Sequence, residues 1–141
     1  MRLGELLFNK RRRQQPEHLR RGRWGEQAAY AHLRKLGYTV VARNYRPRHG
    51  RGEVDLIGWD GEQLAFVEVK TRSSVEFGAP ATAIDSCKRE HLIRAAEDYL
   101  RRASLEWPVA RFDTVSVIAG NPVQIELCKD AFSRRPAGAS Q

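Results

Sequence analysis

Residues 63–71 read Gln-Leu-Ala-Phe-Val-Glu-Val-Lys-Thr, and no other segment constrains the fold as tightly. In an extended strand, successive side chains alternate between faces. Leu64, Phe66, Glu68 and Lys70 therefore point one way, and Ala65, Val67, Val69 and Thr71 the other. Both faces begin apolar, the pattern of a central strand covered on both sides. Glu68 and Lys70 then fall on a face that ought to be buried. Ionised groups there cost several kcal/mol unless they are paired or bound to metal. The chain must supply a layer for each face of this strand and partners for the charges at its end.

The flanking sequence provides these layers. Glu53–Trp59 reads as a second strand, and Asp60-Gly61 is a hairpin signal suited to a type I′ turn. Asp55, between apolar Val54 and Leu56, brings a third charge. With the turn at Asp60-Gly61, Asp55 and Glu68 are expected on adjacent strands but not directly opposite. Upstream, Gly25–Leu36 favours a helix, with Gly37 as its left-handed cap. Ala29, Leu33 and Leu36 share one helical face, and Glu26 points toward that same face. Tyr38–Asn44 reads as a strand, and residues 45–52 as a basic loop punctuated by Gly50 and Gly52. A longer helix is predicted from about Ile84 to Ala103, its stripe formed by Ile84, Cys87 or Lys88, His91, Ala95, Tyr99 and Leu100. Strands at Val109–Ile118 and Val123–Cys128 follow, joined by a turn at Asn121-Pro122. Arg111 and Asp113 share a strand face and are expected to form an internal ion pair, and Trp24, Trp59 and Trp107 to serve packing. The order α-β-β-β-α-β-β predicts an α/β fold with one mixed central sheet flanked by helices.

A length of 141 residues fits one domain. Lys plus Arg number 25 against 17 acids, a formal net charge of +8. Residues 1–24 carry eight basic residues and two acids, so +6 of that excess lies in the first sixth of the chain. Residues 1–22 read as a basic flexible arm, 23–132 as the folded domain and 133–141 as a small polar, frayed tail. No apolar run approaches the roughly 18 residues of a membrane span, and the start is too short in apolar residues for a secretory signal. Cys87 and Cys128 are far apart and the four histidines show no pair at helical ligand spacing, so neither a disulfide scaffold nor a zinc site is indicated. A reduced, cytoplasmic setting is the expectation.

Two readings of Glu68 and Lys70 remain open on this basis. One is a buried salt bridge that closes a sheet end. The other gathers Asp55, Glu68 and the helix-borne Glu26 around a divalent cation, since hard cations take carboxylate oxygens and keep positions for water. In the second reading Asp55 and Glu68 hold Mg²⁺ or Mn²⁺, and Lys70 orients a water or stabilises developing charge at a phosphate. Glu26 then holds a further metal or a metal-bound water; its alternative role is favourable charge in the first turn of a helix.

Asp55, twelve intervening residues and then Glu68-Val69-Lys70 resembles the PD-(D/E)XK nuclease signature. Gly25-Glu26-x-x-Ala29, Asn44, Gly52-Glu-Val-Asp-Leu-Ile57, Phe66-Val-Glu-Val-Lys-Thr-Arg72, Phe77-Gly78-x-Pro80, Lys88 and Arg111-Phe-Asp113 resemble more closely the bacterial YraN-like family. That family is similar to archaeal Holliday-junction resolvases and other restriction-endonuclease-like nucleases. The resemblance spans about residues 22–132 and implies a restriction-endonuclease-like αβββαβ core with the site at one edge of the sheet. It implies catalytic roles for Glu26, Asp55, Glu68 and Lys70, with Asp55 and Glu68 as metal ligands; Val54 stands where the signature's name has proline. Arg23, Arg43, Arg51, Arg72 and Lys88 are the expected nucleic-acid contacts, with Arg46, Arg48 and Arg89 nearby in sequence. The expected activity is Mg²⁺- or Mn²⁺-dependent cleavage of structured or branched DNA, by a possible homodimer, as a symmetric junction would favour. The alternatives are a non-catalytic nucleic-acid-binding protein on a nuclease fold, or a protein whose basic arm contacts an acidic partner.

Overall fold

In the computed structural model, which describes residues 17–73 and 86–134, the elements follow the predicted order. They are α1 (Glu17–Lys35), β1 (Thr39–Tyr45), β2 (Val54–Asp60), β3 (Gln63–Arg72), α2 (Ser86–Arg102), a 3-10 turn (Trp107–Val109), β4 (Ala110–Ile118) and β5 (Gln124–Phe132). The five strands form one sheet in the order β1-β2-β3-β4-β5. All neighbours are antiparallel except β3 and β4, which run parallel because α2 carries the chain back between them. This is a mixed α/β architecture compatible with a restriction-endonuclease-like core.

Helix α1 reaches back to Glu17, so residues 17–22 of the expected arm are helical, while residues 1–16 lie outside the described residues. Its end is set by Gly37 at φ 95°. The Gly37 N–H donates to the Arg34 carbonyl and that of Tyr38 to the Leu33 carbonyl, both at 3.0 Å, which closes a Schellman cap. Leu36 falls beyond the helix and is 52% exposed, so the inward face consists of Ala29 and Leu33 without it.

β3 is buried on both faces, as its composition requires. On one side Leu64 and Phe66 pack with Leu92, Ala95, Ala96 and Leu100 of α2 and with Phe112 of β4. On the other, Ala65 and Val67 pack with Ala29 and Leu33 of α1, Tyr38, Leu56, Val115 and Val117. Each such large side chain contributes about 1.5–3 kcal/mol through burial. The buried stripe of α2 is Leu92, Ala95, Ala96 and Leu100. Cys87, a candidate for the predicted stripe, is exposed and outside this buried one, and Ile84 lies outside the described residues.

The hairpin loop is Gly61-Glu62 rather than Asp60-Gly61, because Asp60 pairs with Gln63 as the last residue of β2. Gly61, at φ 61°, occupies the first loop position, where a type II′ turn requires positive φ. Moving the loop by one residue moves every partner by two, so Trp59 pairs with Leu64 and not with Glu62. Leu56 pairs with Val67 as the last rung of the ladder, and Asp55 and Glu68 are the next residues beyond it on the two strands. β5 continues past the predicted Cys128 to Phe132, through a register shift opposite Phe112/Thr114 and a left-handed Asp130 (φ 55°).

The expected Arg111–Asp113 pair is present and belongs to a larger network. Asp113 is fully buried. It accepts two 2.8 Å bonds from the Arg111 guanidinium, one at 3.0 Å from the Tyr38 hydroxyl and one at 3.0 Å from the Asp130 N–H. Arg111 also reaches Asp60, which Lys129 meets from β5, both at 2.8 Å. The network ties β2, β4, β5 and the entry to β1 together around one carboxylate. Asp113→Ala leaves Arg111 without its buried partner and is expected to destabilise the protein by about 3–5 kcal/mol, read from urea unfolding; a loss below about 1 kcal/mol would show that the network contributes little.

Candidate metal centre

The site forms where the β2–β3 ladder ends, away from the hairpin. Beyond the Leu56–Val67 pair, the Val69 N–H donates to Asp55 Oδ2 at 2.7 Å. A side chain has taken the place of a ladder carbonyl, which anchors the Asp55 carboxylate at the strand opening. β1 closes the other side: its pairs Arg43–Leu56 and Tyr45–Val54 set Asn44 beside Asp55. Asn44 holds φ 52°, a left-handed conformation that asparagine tolerates. With its amide nitrogen turned to the acids, Asn44 donates to Glu26 Oε2 at 3.1 Å and to Glu53 Oε1 at 2.8 Å.

Two glycines let the helices close onto this opening. A Cβ on Gly25 of α1 would stand 1.9 Å from Thr71 Oγ1 of β3, so only glycine permits the approach that delivers the next residue, Glu26. A Cβ on Gly52 would stand 2.7 Å from the His91 Cβ of α2, and the next residue there is Glu53. In both cases a glycine makes the contact and the acid after it enters the site.

Glu26, Glu53 and Asp55 each offer a carboxylate oxygen, and these oxygens all lie within 4.8 Å of one another. Burial and the neighbouring Glu68 push the Asp55 pKa up to about 8. Glu26 is also raised above the usual carboxylate range, by burial and by Glu53, against the opposing pull of Arg43 and Arg23. Glu53 is partly offset by Arg46, 3.1 Å from its Oε2. A divalent cation suits this set, because it replaces mutual repulsion with attraction to several oxygens at once.

Glu68 is only 4% exposed and is ion-paired with Lys88 from α2. A cavity of about 480 Å³ is lined by Gly52, Glu53, Asp55, Glu68, Lys88 and His91, among others. A second, of about 340 Å³, lies on the α1 side, with Glu26, Asp55, Glu68, Thr71 and Lys88 in its wall. Glu26, Asp55 and Glu68 are therefore gathered as expected. Lys70 lies two residues beyond Glu68 on the same strand face and is half-buried. The triad of clustered oxygens differs from the expected Asp55–Glu68 pair, with Glu53 joining and Glu68 engaged by Lys88. Sequence reasoning gave neither Glu53 nor Asn44 a role in the site, although both stand among the residues that carry the family resemblance.

The basic residues divide. Arg23 is exposed on α1 and Arg43 on β1, and both act electrostatically on Glu26. Arg43 is held by a 3.0 Å bond to Gln27 Oε1 and sits 4.3 Å above the Tyr30 ring centre. Arg51 is exposed in the loop before Gly52, and Arg72 is half-buried at the end of β3. Lys88, expected as a nucleic-acid contact, is half exposed and ion-paired with Glu68. Trp24 is 42% exposed, whereas Trp59 and Trp107 pack against the core as expected. Among the described residues no helix is long and apolar enough to cross a membrane.

These features define a mixed α/β protein with an acid-lined centre at the open end of its β2–β3 ladder. A profile of the Uncharacterised protein family UPF0102, the YraN-like family, matches residues 25–117, and the chain belongs to that family. It is 55% identical over 122 residues to a UPF0102 protein of Solibacter usitatus, covering 86% of this chain and 91% of that one. A UPF0102 protein of Koribacter versatilis is 46% identical over 119 residues (84% and 82% covered), and one of Chlorobaculum tepidum 45% identical over 98 (70% and 74%).

The raised Asp55 pKa has a definite sign in stability. Between the unfolded value of 3.8 and the folded value of about 8, the folded chain holds a proton that the unfolded chain releases. Stability contributed by that proton is present at low pH and is lost as pH rises through this window. In chelator, the urea midpoint of the wild type is expected to fall from about pH 5 to about pH 8 more steeply than that of Asp55→Asn. Parallel profiles for the two proteins would contradict the assignment.

Proposed function

We propose that the protein is a metal-dependent endonuclease that hydrolyses phosphodiesters of structured or branched DNA. The observation that carries this reading is the set Glu26, Glu53 and Asp55, three carboxylates held together beside the buried Glu68 and its partner Lys88. Mg²⁺ or Mn²⁺ held by this set supplies positive charge for a scissile phosphate and acidity for an attacking water. The remaining work falls to the chain. Asn44 and the Val69 N–H fix the carboxylates in place. Lys70 orients the water or stabilises charge on the phosphate, and Lys88, partly exposed, exchanges Glu68 for an entering phosphate. Arg23, Arg43, Arg51 and Arg72 guide the DNA backbone toward the centre. A pair of chains would match the two symmetric strands of a four-way junction.

One observation favours a second reading, a nucleic-acid-binding protein without catalysis: the Lys88–Glu68 ion pair already neutralises an acid that cleavage would need. A cleavage panel of junctions, flaps, single strands and duplexes with Mn²⁺ separates the two. Asp55→Ala, Glu68→Ala and Lys70→Ala are each expected to lower cleavage by about 10²-fold or more while DNA binding persists. Cleavage by Asp55→Ala at the wild-type rate would sink the nuclease reading. Tight, salt-sensitive binding with no cleavage by the wild type would establish the second.

The basic residues Arg2, Lys10, Arg11, Arg12 and Arg13 precede the described part of the chain. Deleting residues 1–16 is expected to flatten the slope of log K against log[salt] by about 0.9 for each DNA phosphate that these residues neutralise. An unchanged slope in a filter-binding titration would exclude them from the interface.

A further inference from the structure

Between Gly22 and Lys35, helix α1 carries a single acid, Glu26, which lines the acid-lined centre. Tyr30 and Arg34 follow it at four-residue steps, so the three side chains form one ridge of the helix. From Glu26 to Arg34 this ridge runs about 12 Å along the helix axis, away from the centre. Tyr30, half-buried on the ridge, holds two guanidinium groups. Arg43, from β1, stands 4.3 Å from the centre of the Tyr30 ring and donates to Gln27 Oε1 at 3.0 Å. Arg34 stands 5.6 Å from the same ring centre and donates to the Tyr30 hydroxyl at 3.4 Å. Both arginines are exposed, and among the described residues neither is bonded to a carboxylate.

We infer that Arg34 and Arg43, held on Tyr30, form a clamp for the phosphate backbone of one DNA strand. The clamp stands about three nucleotides along α1 from the acid-lined centre, at about 3.4 Å of rise for each. It deepens the function proposed above and rests on the nucleic-acid part of that reading. Charge selects this occupant. Two cations sharing one ring lie within a screening length of each other, about 10 Å at 0.1 M salt, and a strand of phosphates relieves their repulsion. Guanidinium suits both neighbours, because it stacks on an aromatic face while its N–H edge meets phosphate oxygens in pairs. Stacking on Tyr30 also orders the arginines before the strand arrives, so less side-chain freedom is lost on binding. Continuity selects the same occupant, since the ridge starts at Glu26 and a strand following the helix from the centre crosses Tyr30 and Arg34. Contacts of this kind position the strand and read no base.

The test titrates the full chain against a four-way DNA junction by filter binding at several salt concentrations, with Ca²⁺ in place of Mn²⁺. Arg34→Gln and Arg43→Gln are each expected to flatten the slope of log K against log[salt] by about 0.9, one phosphate contact apiece. Lys35→Gln removes the same charge from a neighbouring position off the ridge and is expected to leave the slope unchanged. Tyr30→Phe keeps the ring and is expected to bind as the wild type does. Tyr30→Leu keeps every charge but removes the ring, and is expected to weaken binding about threefold or more. A wild type that binds DNA with a slope unchanged in Arg34→Gln, or lowered equally in Lys35→Gln, would overturn the clamp and leave the nuclease reading standing. Wild-type affinity in Tyr30→Leu would do the same. A wild type that cleaves nothing with Mn²⁺, yet loses slope in Arg34→Gln, would overturn the nuclease reading and keep the clamp. A wild type that binds no junction would overturn both.

Discussion

Carboxylates repel one another, and here three of them are held within 4.8 Å, with a fourth buried alongside. The cost is visible in Asp55, whose pKa rises to about 8 through burial and the nearby Glu68. The surrounding structure is arranged to sustain that crowding. Asn44 bridges two of the acids in a left-handed conformation, the Val69 N–H anchors a third, Lys88 pairs with the fourth, and Arg46 leans on Glu53. Each interaction offsets part of the repulsion, and a cation would offset more of it.

The fold supplies the rigid frame on which such crowding depends. β3 is packed between α1 and α2, so its backbone cannot shift to relieve Glu68. Gly25 and Gly52 bring a helix and a loop to within van der Waals contact of the opening, each followed at once by an acid. At the hairpin end, Asp113 and Arg111 lock β2, β4 and β5 through buried hydrogen bonds. One end of the sheet is thereby satisfied within the chain, while the other concentrates charge that is not fully matched. Charge left in that state at a cavity is what a ligand site requires.

The strands and helices were legible because their periodicities are strong. The doubly apolar start of residues 63–67 predicted the central strand, and Gly37 predicted the end of α1. The acids out of place at Glu68, Asp55 and Glu26 predicted where carboxylates would gather. What failed was local geometry. A loop placed one residue early at Asp60-Gly61 hid the register that brings Asp55 and Glu68 together just beyond the last rung of the ladder. Leu36 matched the helical spacing yet lies beyond the cap, since the cap reverses the chain before that position can face the core.

The sequence by itself determined the element order, the two-sided burial of β3 and the presence of acids that need a partner. It did so because alternation and helical spacing act over a few residues and leave their mark in composition. Only the tertiary structure decided which acids meet. Glu53 joins Glu26 and Asp55 because Asn44 and Gly52 draw separate segments together, and Glu68 turns to Lys88 because α2 crosses that end of β3. Contacts between distant segments depend on register and close approach, and a displacement of one residue in either is enough to rewrite them.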